Sequence, residues 1–230
     1  MTVQPTPHPT TPHLAVLDVA GTTVDEGGAV YRVLADVVAD AGHPASAADI
    51  RRWMGADKRE ALAALTGRDR IEDLHDAFVA RLAAAYAATP PRPLPGVPGA
   101  LAALRTTGTS VVLTTGFDRQ VTDPLLASLP PEFTGELDGV VCAEEVGAGR
   151  PDPAMIHRAM ALTAVTDPAR VLAAGDTVLD VEAGRRAGAG WVVGVLTGGQ
   201  TRDELTAAGP THVVAGVAAL PDLVGAVQKS

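Results

Sequence analysis

Residues 14–25, LAVLDVAGTTVD, decide the fold. Leu14 to Leu17 read as a buried β-strand that delivers a carboxylate, Asp18, into a tight turn at Gly21. Two hydroxyls, Thr22 and Thr23, follow, and then a second acid, Asp25. An apolar strand ending in an acid and then glycine sets that acid at the carboxyl edge of a sheet, where open α/β sheets hold their ligands. Taken alone, the same residues suit a plain strand and turn. The chain on either side has to decide.

On the amino-terminal side, residues 1–13 (MTVQPTPHPTTPH) are rich in Pro, Thr and His and lack the apolar stretch of a leader. They read as a disordered tail in which His8 and His13 ligate nothing. On the other side, apolar residues recur at helical spacing over 29–41 and stop at Gly42. Ser46 is placed to cap a helix running to about Met54, and Asp57 to start another that ends at Gly67. A fourth helix reads over 70–88 and closes at Thr89-Pro90-Pro91. No strand separates these helices.

From Pro95 the pattern alternates. Strands read at 109–117, 137–142, 170–176, 191–196 and 211–216, with helices between them and a last helix after them. Strands alternating with helices predict parallel βαβ units and an α/β, doubly wound parallel sheet. The first strand joins that sheet. The expected organisation is a core of residues 14–25 and 92–230, with residues 26–91 inserted as an all-α cap.

Composition narrows the partners. The chain of 230 residues carries a net charge of −9, so it offers no basic footprint and no nucleic-acid partner is expected. No apolar run approaches the ~18–20 residues of a membrane span. One cysteine, Cys142, excludes an internal disulfide, reads as a small buried hydrophobe, and suits a reducing, cytoplasmic compartment. Only two of the 18 basic residues are lysines, Lys58 and Lys229.

Four strand ends exit into polar chemistry: Asp18, Thr115 in LTTGF, Arg150 in GAGRPDP, and Asp176 with Asp180 in GDTVLD. At the carboxyl side of a parallel sheet these residues converge. Carboxylates beside a cation and a hydroxyl suit a hard metal such as Mg²⁺ and a phosphoryl group. Thr22 and Thr23 lie where backbone N–H groups of the turn can cradle phosphate, and Gly21 and Thr22 are expected to bind substrate. Remaining acids and histidines carry less. Asp25 is expected to hold the turn, Asp118 to cap a helix, and His43 and His75 to be structural, the latter on a charged helix face.

The four motifs, in this order and with a helical insert between the first two, resemble the haloacid dehalogenase superfamily. The resemblance implies that Asp18 is a nucleophile forming an aspartyl-phosphate and that Thr115 and the Gly116 beside it meet the phosphoryl group. Arg150 stands where most members use lysine. Asp18, Asp176 and the backbone carbonyl of Ala20 would ligate Mg²⁺, with Asp180 holding the metal's waters. Most phosphatases of this superfamily carry a second aspartate where this chain has Ala20, and that acid protonates the leaving oxygen, an effect worth about 10²–10⁴ in rate.

Ala20, the GRPDPAM stretch with Arg150, and Met54-Gly55-x-x-Lys58 are together similar to the phosphonoacetaldehyde hydrolases, which break a carbon–phosphorus bond. There the lysine of the MGxxK motif forms a Schiff base with the substrate aldehyde, and the enamine that leaves needs no acid at position 20. Met54 would line the substrate site. The chain departs from that pattern at Ala61, where the family has histidine, at Phe117, where it has tyrosine, and at Gly27-Gly28, where it has cysteine. Lysine is rare here, and an imine needs a primary amine, which a guanidinium cannot supply. The amine must also be neutral to attack, so desolvation or cations such as Arg51, Arg52 or Arg59 should lower its pKa. The expected partner is a small phosphonate or phosphate, and the resemblance also implies pairing of two copies through the cap. Other readings are a phosphatase or phosphotransferase for a small phosphate ester, and a non-catalytic phosphate-binding module.

Overall fold

The computed structural model describes residues 11–227. Strand β1 (Leu14–Asp18) is buried along its whole length, as a continuous apolar run must be when helices cover both faces of a sheet. It lies third in a six-stranded parallel sheet. β4 (Ser110–Thr115) and then β5 (Gly139–Cys142) lie on one side of it, and β6 (Val171–Gly175), β7 (Trp191–Val195) and β8 (His212–Val214) on the other. The chain therefore fills one half of the sheet, then crosses β1 to build the other, and the switch point falls beside Asp18. In register, Asp18 stands opposite Thr114.

Four helices follow β1 before the chain returns at Arg92: α1 (Ala29–Asp40), α2 (Ala47–Arg52), α3 (Lys58–Thr66) and α4 (Glu72–Ala88). Ser46 caps α2 in a reciprocal box with Asp49. Asp57 caps α3 by accepting from the N–H groups of Arg59 and Glu60. Leu34, Leu62, Phe78 and Leu82 bury the facing sides of these helices and run continuously into Leu101, Leu113 and Phe117 of the sheet layer. The remaining helices are α5 (Val97–Thr106), α6 (Arg119–Ser128), α7 (Pro131–Thr134), α8 (Ala154–Leu162), α9 (Val178–Arg186), α10 (Arg202–Ala207) and α11 (Leu220–Val227).

Some details differ from expectation. Helix α2 stops at Arg52, and Trp53 and Met54 form a turn by bonding back to Ile50 and Arg51. Helix α4 starts at Glu72. Short α7 was not foreseen; Pro131 at its first position pre-sets the helical φ. Nor was a two-stranded antiparallel ribbon, β2 (Val24–Asp25) with β3 (Arg92–Pro93), which joins the two ends of the helical segment. Two residues a side are too few to show a period. Most of the 1–13 tail, including His8, lies outside the described residues. His13 is described and belongs to the fold, because its N–H donates to Arg170 O at 2.8 Å and its carbonyl accepts from Ser110 N at 2.9 Å.

Candidate active site

The strand ends do converge. Asp18 and Ala20 from the β1 turn, Thr115 and Gly116 from the end of β4, Arg150, and Asp176 after β6 line one cavity. Lys58, from the helical segment, completes its wall. The cavity holds about 20 Å³, room for about one water.

Arg150 is buried and its guanidinium is fully engaged. Nη1 donates to Asp18 Oδ1 at 2.6 Å, Nε pairs with Asp180 Oδ1 at 2.9 Å, and Nη2 donates to the carbonyl and hydroxyl of Thr114. A rigid fork of donors suits such bridging, and lysine could not hold all these partners. Thr115 Oγ1 accepts from Phe117 N at 3.1 Å, which leaves its hydrogen to donate.

The three acids are crowded. Burial pushes Asp18 up from the usual carboxylate range; Arg150 opposes this and Asp180 adds to it. Asp176 is likewise pushed up, by burial first and then by the charges of Asp18 and Asp180. A buried surplus of acid marks a place for a cation. Among the described residues no three His, Cys, Asp or Glu side chains form an all-protein metal cage. Two carboxylates on one cavity wall, with Ala20 in the same wall, are the sparse oxygen set that Mg²⁺ accepts while it keeps several waters. The residues fit that ion.

Lys58 is only 5% exposed. Its Nζ donates to Ala56 O at 2.6 Å and sits 5.6 Å from the Phe117 ring centroid, while its backbone N–H donates to Gly116 O. Burial brings its pKa down to about 8; Arg150 lowers it too, whereas Asp57, Asp18 and Glu26 resist. The cation that matters is thus Arg150 and not Arg51, Arg52 or Arg59. Arg51 pairs with Glu204, and Arg59 turns to His75.

Four expected residues lie behind the wall. Gly21 sits at φ +82°, and a Cβ there would come within 2.9 Å of Asp176 Oδ2, so it seats that acid. Thr22 donates to Asp176 Oδ1 at 3.0 Å from the same side. Met54 packs its thioether end against Gly199. Asp180 is held by Thr177 and by Arg150. Two features were not legible. Tyr31 of α1 reaches the cavity, with its phenol oxygen facing the Gly55 N–H; one aromatic on an amphipathic helix carries no sign of that. His75 does not lie on a solvated face: it is 2% exposed, with Nε2 2.8 Å from Asp118 Oδ2. Asp118 also caps α6 as expected, and Asp25 holds its turn through Gly27 N. Cys142 is buried, and burial pushes its thiol up.

The sequence pattern of haloacid dehalogenase-like hydrolases matches residues 12–188. The chain belongs to this family. It is accordingly a hydrolase with the family's α/β core, and such hydrolases generally use Mg²⁺. It is 31% identical over 212 residues to the phosphonoacetaldehyde hydrolase of Bacillus mycoides (strain KBAB4), covering 83% of this chain and 79% of that protein. A phosphonoacetaldehyde hydrolase-like protein of Syntrophobacter fumaroxidans (strain DSM 10017 / MPOB) is 32% identical over 219 residues, covering 86% and 78%. Among solved structures, the phosphonoacetaldehyde hydrolase like protein from Oleispira antarctica superposes with a TM-score of 0.79 at 22% identity, over 100% of this chain and 96% of that one. CbbY from Rhodobacter sphaeroides, solved with phosphate, superposes with a TM-score of 0.76 at 20% identity, over 91% and 96%. At these identities the superpositions speak for the fold. No helix among the described residues is long and apolar enough to cross a membrane.

Proposed function

We propose that this hydrolase cleaves the carbon–phosphorus bond of phosphonoacetaldehyde or a close analogue, through an imine on Lys58 and an aspartyl-phosphate on Asp18. The observation that carries the reading is the buried Lys58 amine in the wall of the cavity that also presents Asp18. An amine titrating near 8 is neutral in about one copy in ten at pH 7, several hundred times more often than an ordinary lysine, and that fraction can attack an aldehyde. Imine formation expels one water. With Oδ1 gripped by Arg150, Asp18 Oδ2 attacks phosphorus, and the C–P electron pair moves through the former carbonyl carbon to the imine nitrogen, leaving an enamine on Lys58. Protonation at carbon and addition of water release acetaldehyde and free the amine. A second water releases phosphate from Asp18. Throughout, Thr115 donates to a phosphoryl oxygen and Arg150 fixes the nucleophile. Mg²⁺, held by Asp18, Asp176 and the Ala20 carbonyl, would supply the charge that draws the phosphonate to a carboxylate. A reducing, cytoplasmic setting accords with the single buried thiol.

Sodium borohydride added with phosphonoacetaldehyde tests this directly: a reduced adduct should appear on the peptide containing Lys58, and Lys58→Arg should abolish both adduct and phosphate release. Hydrolysis of phosphate esters that survives Lys58→Arg, with no adduct, would instead support an ester phosphatase or phosphotransferase. Ala20 weighs against that second reading, because an alkoxide leaves poorly without a proton donor. No phosphate from any phosphonate or ester would point to a binding module.

A further inference from the structure

The cavity, with room for about one water, is too small for an aldehyde phosphonate with the helical segment seated as it is. Substrate entry therefore requires the segment to lift, and catalysis requires it to return to one register. The polar contacts that define this register differ in kind. Arg51–Glu204 spans the two parts at 2.7 Å, but both side chains are about 40% exposed, and such pairs hold little. Lys58 N to Gly116 O and Arg150 Nη1 to Gly55 O are long, at 3.3 and 3.4 Å.

His75 and Asp118 make the buried contact. His75 lies on α4 of the helical segment and Asp118 at the start of α6, just after β4, and their side chains are 3% and 7% exposed. Arg59 Nη2 lies 3.2 Å from the other ring nitrogen, Nδ1. A guanidinium only donates, so Nδ1 accepts and Nε2, which lies 2.8 Å from Asp118 Oδ2, carries the ring hydrogen. The result is a chain of guanidinium, imidazole and carboxylate with a fixed direction. Its two ends adjoin the site: Arg59 follows Lys58, and Asp118 follows Phe117, whose ring lies against the Lys58 amine. On opening, His75 and Asp118 meet water; on closing, they meet again at one distance, with Arg59 still beside the ring. Buried polar groups of this kind cost most when mispaired, so they specify a position.

We propose that Arg59, His75 and Asp118 form a positioning relay that returns Lys58 to the pocket each time the helical segment closes. This rests on Lys58 being the reacting amine, and the test separates the two ideas. In the full chain, acylation of Lys58 by a water-soluble N-hydroxysuccinimide ester would be followed by mass spectrometry, with Lys229, the other lysine, as internal reference. His75→Ala and Asp118→Asn should each raise the Lys58 rate relative to Lys229 by tenfold or more. Asn keeps the α6 cap, so that variant tests the relay even if His75→Ala does not fold. His75→Gln, which can still accept from Arg59 and donate to Asp118, should restore most of the protection. On phosphonoacetaldehyde, the two disruptive variants should lower kcat at least as much as they raise KM. Unchanged Lys58 acylation in folded His75→Ala or Asp118→Asn overturns the relay. Absence of carbon–phosphorus cleavage in the unsubstituted enzyme overturns the function while leaving the acylation contrast to stand.

Discussion

Lys58 titrates near pH 8 in the folded chain, against 10.5 in water, because burial strips its ammonium of hydration. Between those two pH values the unfolded chain holds more protons than the folded one, so stability rises with pH through that window. The cost is present in full below pH 8, is relieved by 10.5, and amounts to ~3 kcal/mol for a shift of this size. Lys58→Met should therefore stabilise the protein at pH 7 by on the order of 1–3 kcal/mol, the lower figure allowing for the lost bond to Ala56 O. The gain should shrink toward zero by pH 10.5, as urea unfolding at pH 7, 9 and 10.5 would show. An equal gain at every pH would mean that the amine is hydrated. The residues at strand ends were legible because a parallel sheet gathers them whatever their separation in the chain. Tyr31 and His75 were not, because a helix position says which side is apolar but not what that side faces.

At the scale of elements, the helical segment and the sheet layer meet backbone to backbone at Gly116. A Cβ on Gly116 would lie 2.4 Å from Ala56 O, in the same loop contact that joins Lys58 N to Gly116 O. Gly116→Ala should lift residues 54–58 without disturbing β4, whose buried residues lie beneath. The expected result is a fall of more than tenfold in kcat/KM, faster hydrogen exchange over 54–58, and a thermal midpoint within a few degrees of the parent. A normal exchange rate there would show that the loop absorbs the methyl group. Periodicity and caps placed the long helices and the six sheet strands; Ser46 and Asp57 are examples where the cap residue itself is identified. What escaped were elements too short to have a period: α7, and the ribbon of β2 and β3.

For the whole molecule, the crowding of Asp18, Asp176 and Asp180 in one buried site predicts coupling between metal, proton and stability. A metal binds the ionised carboxylates, and anything that binds only the folded state raises stability by mass action. Millimolar Mg²⁺ added to chelator-treated protein should raise the thermal midpoint at pH 8. The rise should be much smaller at pH 5, where the elevated carboxyls of Asp18 and Asp176 hold protons, and Asp176→Asn should remove it at both. A rise that survives Asp176→Asn would assign the ion to other ligands.

The ribbon of β2 and β3 has one more consequence. Because Val24–Asp25 leaves for the helical segment beside the strand on which Arg92–Pro93 returns, everything between them is a loop-out from two adjacent points. Such a fragment can be lengthened, shortened or exchanged without rethreading a single sheet strand. If Lys58 reacts as proposed, the amine that this segment carries is thus free to diversify while the acids of the sheet layer stay as they are.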